Sequence, residues 1–261
     1  MRNIAGGMRF RGALSLLAVL AVAGCGGGGS KTVTVRETVT EPTTSSVPNE
    51  APKVLKVYLL QGDKVAPAAR SVATGPAVAR AALEALLAGP EDEELDTAIP
   101  PETELKSVTV EGGVANVGLS PQATDDAARA QVVYTLTQFP TVNRVDFGAG
   151  PPVGRKAFEA QTPAILVESP LPGETVEPGF KVTGTANTFE ATFNYELKDA
   201  SGKVLSKHFV TASSGSGTRG TFRFTVPYEV ENPQQGTLVV FEISAENGSR
   251  INESELPLQL E

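Results

Sequence analysis

Leu105–Ser120 reads LKSVTVEGGVANVGLS, two alternating stretches on either side of Gly112-Gly113. A two-residue glycine loop between alternating strands is a strong hairpin signal, because glycine takes the positive φ that such turns need. The loop pairs Glu111 with Val114, so Val110 faces Ala115 and Val108 faces Val117 on one side of the sheet. The register is thereby defined, and one face is left apolar for something to pack on it. Upstream, Val78, Ala82 and Leu86 recur every four residues beside Leu83 and Leu87, which predicts a helix. Thr74-Gly75-Pro76 opens that helix and Gly89-Pro90 closes it. Downstream, Thr124-Asp125-Asp126 caps a second helix expected to run to Phe139 and to end at Pro140. Lys53–Leu60 (KVLKVYLL), ending at Gly62-Asp63, and Val142–Phe147 (VNRVDF) supply two more strands. The expected order over 54–150 is β-α-β-β-α-β, an α+β domain of split-βαβ type with its helices on one face of a small sheet.

Beyond a Gly- and Pro-rich joint, Ala149–Thr162 with the linker proper at 151–163, the texture changes to strands and turns. Ile165–Ser169, Phe180–Ala186, Thr192–Lys198, Val204–Thr211, Gly220–Val226, Thr237–Ala245 and Ile251–Leu260 read as strands, with Asn247-Gly248 as a hairpin turn. Seven short strands over 164–261 predict an all-β immunoglobulin-like sandwich. With no cysteine pair and no tryptophan, its core is expected to rest on Phe189, Phe193, Tyr195, Phe222, Phe224, Leu238, Val240 and Phe241.

The other end of the chain carries a different message. Arg2, Arg9 and Arg11 precede the apolar run Gly12–Ala23 (GALSLLAVLAVA), which is too short to span a bilayer comfortably, since a spanning helix needs about 20 apolar residues. A basic start, a short apolar core and small residues make a secretory signal over 1–24. Val22-Ala23-Gly24-Cys25 resembles the lipobox of bacterial lipoproteins, which implies cleavage before Cys25 and a diacylglycerol and fatty acyl (palmitate-type) anchor on it. Residues 25–53, rich in Gly, Thr, Ser, Pro and Glu, read as a solvated tether with a reach of roughly 30 Å. The expected location is therefore extracytoplasmic, held to the cell membrane by lipid.

Composition narrows the chemistry. A net charge of −8 with acids spread along the chain argues against nucleic-acid binding and against electrostatic attachment to anionic lipid. One histidine and one cysteine exclude metal clusters built from these residues, and no cofactor is expected. His208 lies in an alternating run and reads as an exposed strand residue, not as a catalyst. Glu91–Glu94 (EDEE) lacks the alternating oxygen ligands of a calcium loop. Gly215–Gly220 (GSGTRG) lacks the Lys-Ser/Thr ending of a phosphate loop and leads into a strand. Arg219 and Arg223 read as a solvated pair, and the Asn-X-Ser triplets at Asn247 and Asn252 as turns.

KVYLLQGDKVAPAAR, AALEALLAGP, AIPPETELKSVTVEGGVANVGLS and QVVYTLTQFPTVNRVDF resemble the GerMN domain of spore-germination and sporulation lipoproteins. Leu86-Leu87-Ala88-Gly89-Pro90, Ile99-Pro100-Pro101 and Tyr134-Thr135-Leu136 carry the likeness most specifically. The C-terminal half is similar to the immunoglobulin-like domain of bacterial spore-germination proteins, through Ser169-Pro170, Gly184-Thr185-Ala186, Phe189-Glu190-Ala191 and Phe241-Glu242. The resemblance implies a non-catalytic protein that takes part in cell-envelope assemblies, with other envelope proteins as partners. A second reading is an extracytoplasmic small-molecule sensor using the cleft between the two domains. A third, a hydrolase, needs two converging carboxylates, whereas Asp and Glu here fall mostly in turns and helix starts. The sequence assigns no partner-binding residues and no oligomeric state.

Overall fold

A computed structural model describes residues 52–261 apart from positions 74 and 76. The signal segment with Val22, Ala23 and Gly24, the lipidation candidate Cys25, all but the last two residues of the tether, and Thr74 and Pro76 lie outside the described residues.

The described residues fold around two large apolar cores, with Leu55, Val72 and Ala82 forming a small third cluster. Tyr58, Leu83, Leu86, Val132, Leu136, Val145 and Phe158 are in the first, and Val182, Phe193, Leu197, Phe222, Leu238 and Leu258 in the second. The first is enclosed by β1 (Lys53–Gln61), β2 (Lys64–Val72), α1 (Val78–Leu87), β3 (Glu104–Glu111), β4 (Val114–Ser120), α2 (Asp126–Leu136) and β5 (Arg144–Asp146). The α+β class stands, but the order is β-β-α-β-β-α-β. The added strand, β2, pairs antiparallel with β1 from Gln61↔Lys64 to Lys53↔Val72. Its sequence KVAPAARSV hides it: Pro67 and the alanines disfavour a strand, and proline is tolerated because this strand ends a two-stranded sheet. The single sheet expected here is in fact two, β1-β2 and β3-β4-β5.

The Gly112-Gly113 hairpin forms in the expected register, Glu111↔Val114, Val110↔Ala115 and Val108↔Val117, and β5 joins β4 in parallel. Helix α1 buries Ala82, Leu83 and Leu86, and stops where Gly89 turns to φ 81°. Asp125 caps α2, accepting hydrogen bonds from the N–H groups of Ala127 (2.8 Å) and Ala128 (3.2 Å). Helix α2 ends at Leu136 rather than Phe139, where Thr137 leaves the helical conformation. Asp125→Ala is expected to destabilise the first domain by about 1 kcal/mol, measured as a shift in the urea midpoint at unchanged m-value.

The second core lies between a three-stranded and a five-stranded sheet, the immunoglobulin-like sandwich. The first sheet runs β11 (Gly220–Val226)-β8 (Phe180–Ala186)-β6 (Ile165–Ser169). The second runs β10 (Val204–Thr211)-β9 (Thr192–Asp199)-β12 (Gln234–Ile243)-β13 (Arg250–Leu260)-β7 (Thr175–Val176). Phe193 stands edge-on to Phe222 at 4.9 Å between ring centres, and Tyr195 stacks on Phe224 at 4.8 Å. Two aromatics expected in this core are elsewhere. Phe189 is 59% exposed, because Glu190 and Ala191 take left-handed conformations that break the phase with Phe193. Phe241 is buried outside this core, beneath the Arg250 guanidinium at 3.9 Å from its ring centre.

The joint carries more order than its glycines and prolines suggest. Arg155–Gln161 forms 3₁₀ turns that put Phe158 into the first core. Strand β6 serves both cores: Ile165 and Val167 enter the second while Leu166 between them enters the first, as strand alternation allows.

Candidate functional site

Helix α2 is almost wholly buried, yet two of its buried residues, Gln131 and Thr135, are polar. Buried polar groups demand partners, and these find them on the edge of β1 that β2 leaves free. The Tyr58 N–H donates to Thr135 Oγ1 (3.0 Å), and Gln131 Nε2 donates to the Tyr58 carbonyl (3.2 Å). One step along, the Lys56 N–H donates to Gln138 Oε1 (3.1 Å), and Gln138 Nε2 donates to the Lys56 carbonyl (2.6 Å). Leu60 and Asp96 exchange both backbone bonds at 2.8 Å. A stripe of side-chain amides and a hydroxyl at 131, 135 and 138, along α2 and just past its end, thus stands in for a missing strand and closes that edge to other chains. Edges open to partners are elsewhere, with β3 and β10 each ending a sheet.

Tyr58 and the neighbouring Tyr134 of α2 lead to the junction between the cores. Tyr58 and Tyr134 lie 5.3 Å apart between ring centres, and Arg155 sits over Tyr134 at 4.6 Å. Arg155 Nη1 donates to Glu168 Oε1 at 2.8 Å, Tyr58 Oη donates to the same carboxylate, and Arg155 Nε donates to Thr137 Oγ1 at 2.7 Å. Tyr134 Oη meets Thr162 Oγ1 at 2.6 Å. A second clamp lies alongside. Arg219 grips the Glu159 carboxylate through Nε (3.0 Å) and Nη2 (2.9 Å), and donates to the Pro163 carbonyl at 2.8 Å. Arg219, read from sequence as solvated, is largely buried; Arg223, four residues on, is exposed as expected. The junction residues escaped sequence reasoning because arginine and glutamate in Gly/Pro-rich or strand contexts look like surface residues. Only the pairing of partners far apart in the chain reveals them.

Burial works against the Glu168 carboxylate, but Arg155 and the Tyr58 hydroxyl hold its pKa below the ordinary value. Burial first, then the Glu168 charge, pushes the Tyr58 hydroxyl well above its usual range. Burial also opposes ionised Glu159, and the Arg219 and Asn187 hydrogen bonds outweigh it to lower that pKa. Depressed carboxyl values make stability that is present above the ordinary pKa of 4.5 and lost as pH falls through the folded-state values. The melting temperature should therefore hold from about pH 7 to about pH 5 and fall below about pH 4.5, and the fall should be shallower in Glu168→Gln. A variant that falls as steeply as the parent would show that Glu168 does not contribute.

These groups are poorly suited to acid–base chemistry. A general acid needs a raised carboxyl pKa, whereas both junction glutamates are arginine-bound with lowered values. His208 is exposed on β10, its Nδ1 occupied with the Phe209 backbone. Among the described residues no three His, Cys, Asp or Glu side chains gather to hold a metal ion, and no helix is long and apolar enough to cross a membrane. At the junction, where a ligand cleft was the second expectation, the side chains bond to one another. A cavity of about 300 Å³ lies instead on the first domain, lined by Val78, Arg80, Val108, Val110, Phe139 and Val142.

Comparison with known proteins adds the following. Residues 29–150 match a family described as sporulation and spore germination, and residues 164–249 match the immunoglobulin-like domain of bacterial spore germination. The first match begins at residue 29, inside the segment read as a tether. Among solved structures, the chain is similar to the tandem GerMN domains of the sporulation protein GerM from Bacillus subtilis. That likeness has 21% identity and a TM-score of 0.37, over 43% of this chain and 49% of that one. It is also similar to a putative lipoprotein from Clostridium perfringens, with 18% identity and a TM-score of 0.29, over 43% of this chain and 93% of that one. The chain thus spans about half the length of the GerM structure. No curated protein matches it.

Proposed function

We propose that this chain, a sporulation and spore-germination domain followed by an immunoglobulin-like domain of bacterial spore germination, is a non-enzymatic assembly module of the cell envelope, anchored through lipid on Cys25. The observation that carries the reading is the doubly clamped junction. Arg155–Glu168 and Arg219–Glu159 join two small domains into one body, and the buried polar groups there serve packing rather than chemistry. Such a body presents exposed strand edges and loops in fixed relation, which suits simultaneous contact with neighbours at low entropic loss. A lipid anchor and a short tether would keep it near a membrane surface, and the acidic chain would meet partners through protein contacts rather than lipid charge.

The test is in-cell cross-linking of the full chain with mass spectrometry, beside Cys25→Ala. Reproducible links to envelope proteins that vanish in Cys25→Ala are expected. Efficient recovery of the chain with no partner above background would overturn the assembly reading. Retention of Cys25→Ala in the membrane fraction would overturn the anchor.

A further inference from the structure

Among the described residues, the non-glycine positions with positive φ are Glu190 (51°), Ala191 (58°), Ser216 (53°) and Asn252 (52°). All four meet at one end of the sandwich, in a single hydrogen-bonded cluster around Phe189. The Glu190 N–H donates to Ser216 Oγ (3.0 Å), and the Ser216 N–H donates to the Thr188 carbonyl (2.9 Å). The Phe189 N–H donates to Glu242 Oε1 (2.7 Å), and Asn252 Nδ2 donates to Glu242 Oε2 (2.8 Å). A Cβ added at Gly215 would come within 2.5 Å of the Ala191 and Thr188 backbone, so the neighbouring loop is pressed directly onto this turn. Left-handed backbone at non-glycine residues persists only where the surroundings over-determine it, and it gathers where a protein must hold a shape.

What is held is an exposed aromatic. Phe189 is 59% exposed, and Ile251, 40% exposed, pairs in the ladder with Glu242, whose carboxylate accepts from the Phe189 N–H. Exposed Glu190 follows Phe189 in the chain, exposed Glu253 lies two residues past Ile251, and exposed Glu246 lies in the turn joining β12 to β13. The cation nearby, Arg250, is shared between Glu196 (2.6 Å) and Glu253 (3.5 Å). Buried Glu242 thus fixes the turn, and exposed acids adjoin the turn in the chain.

We propose that this end of the sandwich is a protein-docking surface. Phe189 is its anchor, Ile251 on the ladder rung of Glu242 adds apolar area, and the partner offers an apolar recess rimmed by Lys or Arg. The inference rests on the assembly reading above and deepens it. A pre-ordered aromatic anchor gives area without an ordering penalty on binding. The adjoining acids select the partner's charge: they oppose a second copy carrying the same acids and oppose an anionic lipid surface.

A photo-reactive phenylalanine analogue placed at position 189 of the full chain, and in parallel at position 109 on the exposed strand β3, tests this in cells. Position 189 should link to a peptide of a different protein that carries apolar residues and Lys or Arg. With that protein purified, Phe189→Ala should weaken binding by about tenfold or more. Glu190→Lys should weaken it severalfold and lessen its dependence on salt. Both variants should melt with the parent, since the two side chains are exposed. Links from position 189 to lipid or to a second copy, or an affinity unchanged by Phe189→Ala, would overturn the surface. Links from position 109 alone, or silence at both positions, would overturn it; the assembly reading falls only if cross-linking of the full chain also recovers no partner.

Discussion

Phe193→Ala is expected to destabilise the immunoglobulin-like sandwich by about 3–5 kcal/mol, near the upper end of what one substitution costs a folded domain. The ring is fully buried and touches both sheets, edge-on to Phe222 at 4.9 Å and to Phe224 at 6.3 Å. Truncation removes the buried area and leaves a cavity that strands on two sheets cannot close together. The sandwich has no disulfide to limit its unfolded state, because the chain's single cysteine is Cys25. A loss of this size is a large share of the total stability of an ordinary domain. Hydrogen exchange should localise it: amides of β9 and β12 should lose protection, while those of β1 and α2, around the other core, should keep most of theirs. Equal loss around both cores would show that the chain unfolds as one cooperative unit. A destabilisation under about 1 kcal/mol would mean that Phe193 is not the centre of this core.

Arg155→Met should destabilise by about 2–3 kcal/mol. Removing one partner of a fully buried pair costs about 3–5 kcal/mol, and the Arg155 and Glu168 side chains keep 25% and 16% of their exposure, which lowers the expectation. The penalty arises from what is left behind: a Glu168 carboxylate still bonded by Tyr58 but without its compensating charge. Methionine keeps much of the packing over Tyr134 while removing the charge and donors. Three consequences separate this from simple loss of packing. Stability of the variant should rise on acidification from about pH 7 toward about pH 5 as Glu168 takes up a proton, whereas the parent holds constant over that range. The double variant Arg155→Met/Glu168→Gln should recover part of the loss, because no charge is stranded. Exchange should rise first at Arg155–Gln161 and β6, where the cores meet, before either core opens. A double variant that simply adds the two single losses would show that the pair is not coupled.

Much of the fold was legible in local sequence. The Gly112-Gly113 loop set the β3–β4 register, because a two-residue turn leaves one pairing that keeps Val108, Ala115 and Val117 on one side. Gly89-Pro90 and Asp125 marked helix ends through backbone chemistry that acts within a few residues. Alternation found seven strands of the sandwich for the same reason. Where the reading failed, the deciding partner was distant. Strand β2 exists because β1 folds back on it, against the preference of Pro67 and its alanines. Phe189 looked like core because aromatic residues near strands usually are, and only the bonds to Glu242 and Ser216 explain a turn that points it outward.

Local sequence suffices for the α+β and immunoglobulin-like classes, the hairpin register, the acidic character of the chain and its single histidine and single cysteine. Periodicity, turn chemistry and composition are properties of neighbouring residues, so they survive in one dimension. Which polar residues are structural emerges only in the folded chain. Gln131, Thr135 and Gln138 complete the edge of β1, Arg155 and Arg219 clamp two cores, and Glu242 holds an exposed aromatic in place. A charged or amide side chain has no fixed role until the fold brings it a partner, and these partners lie between 13 and 82 residues away.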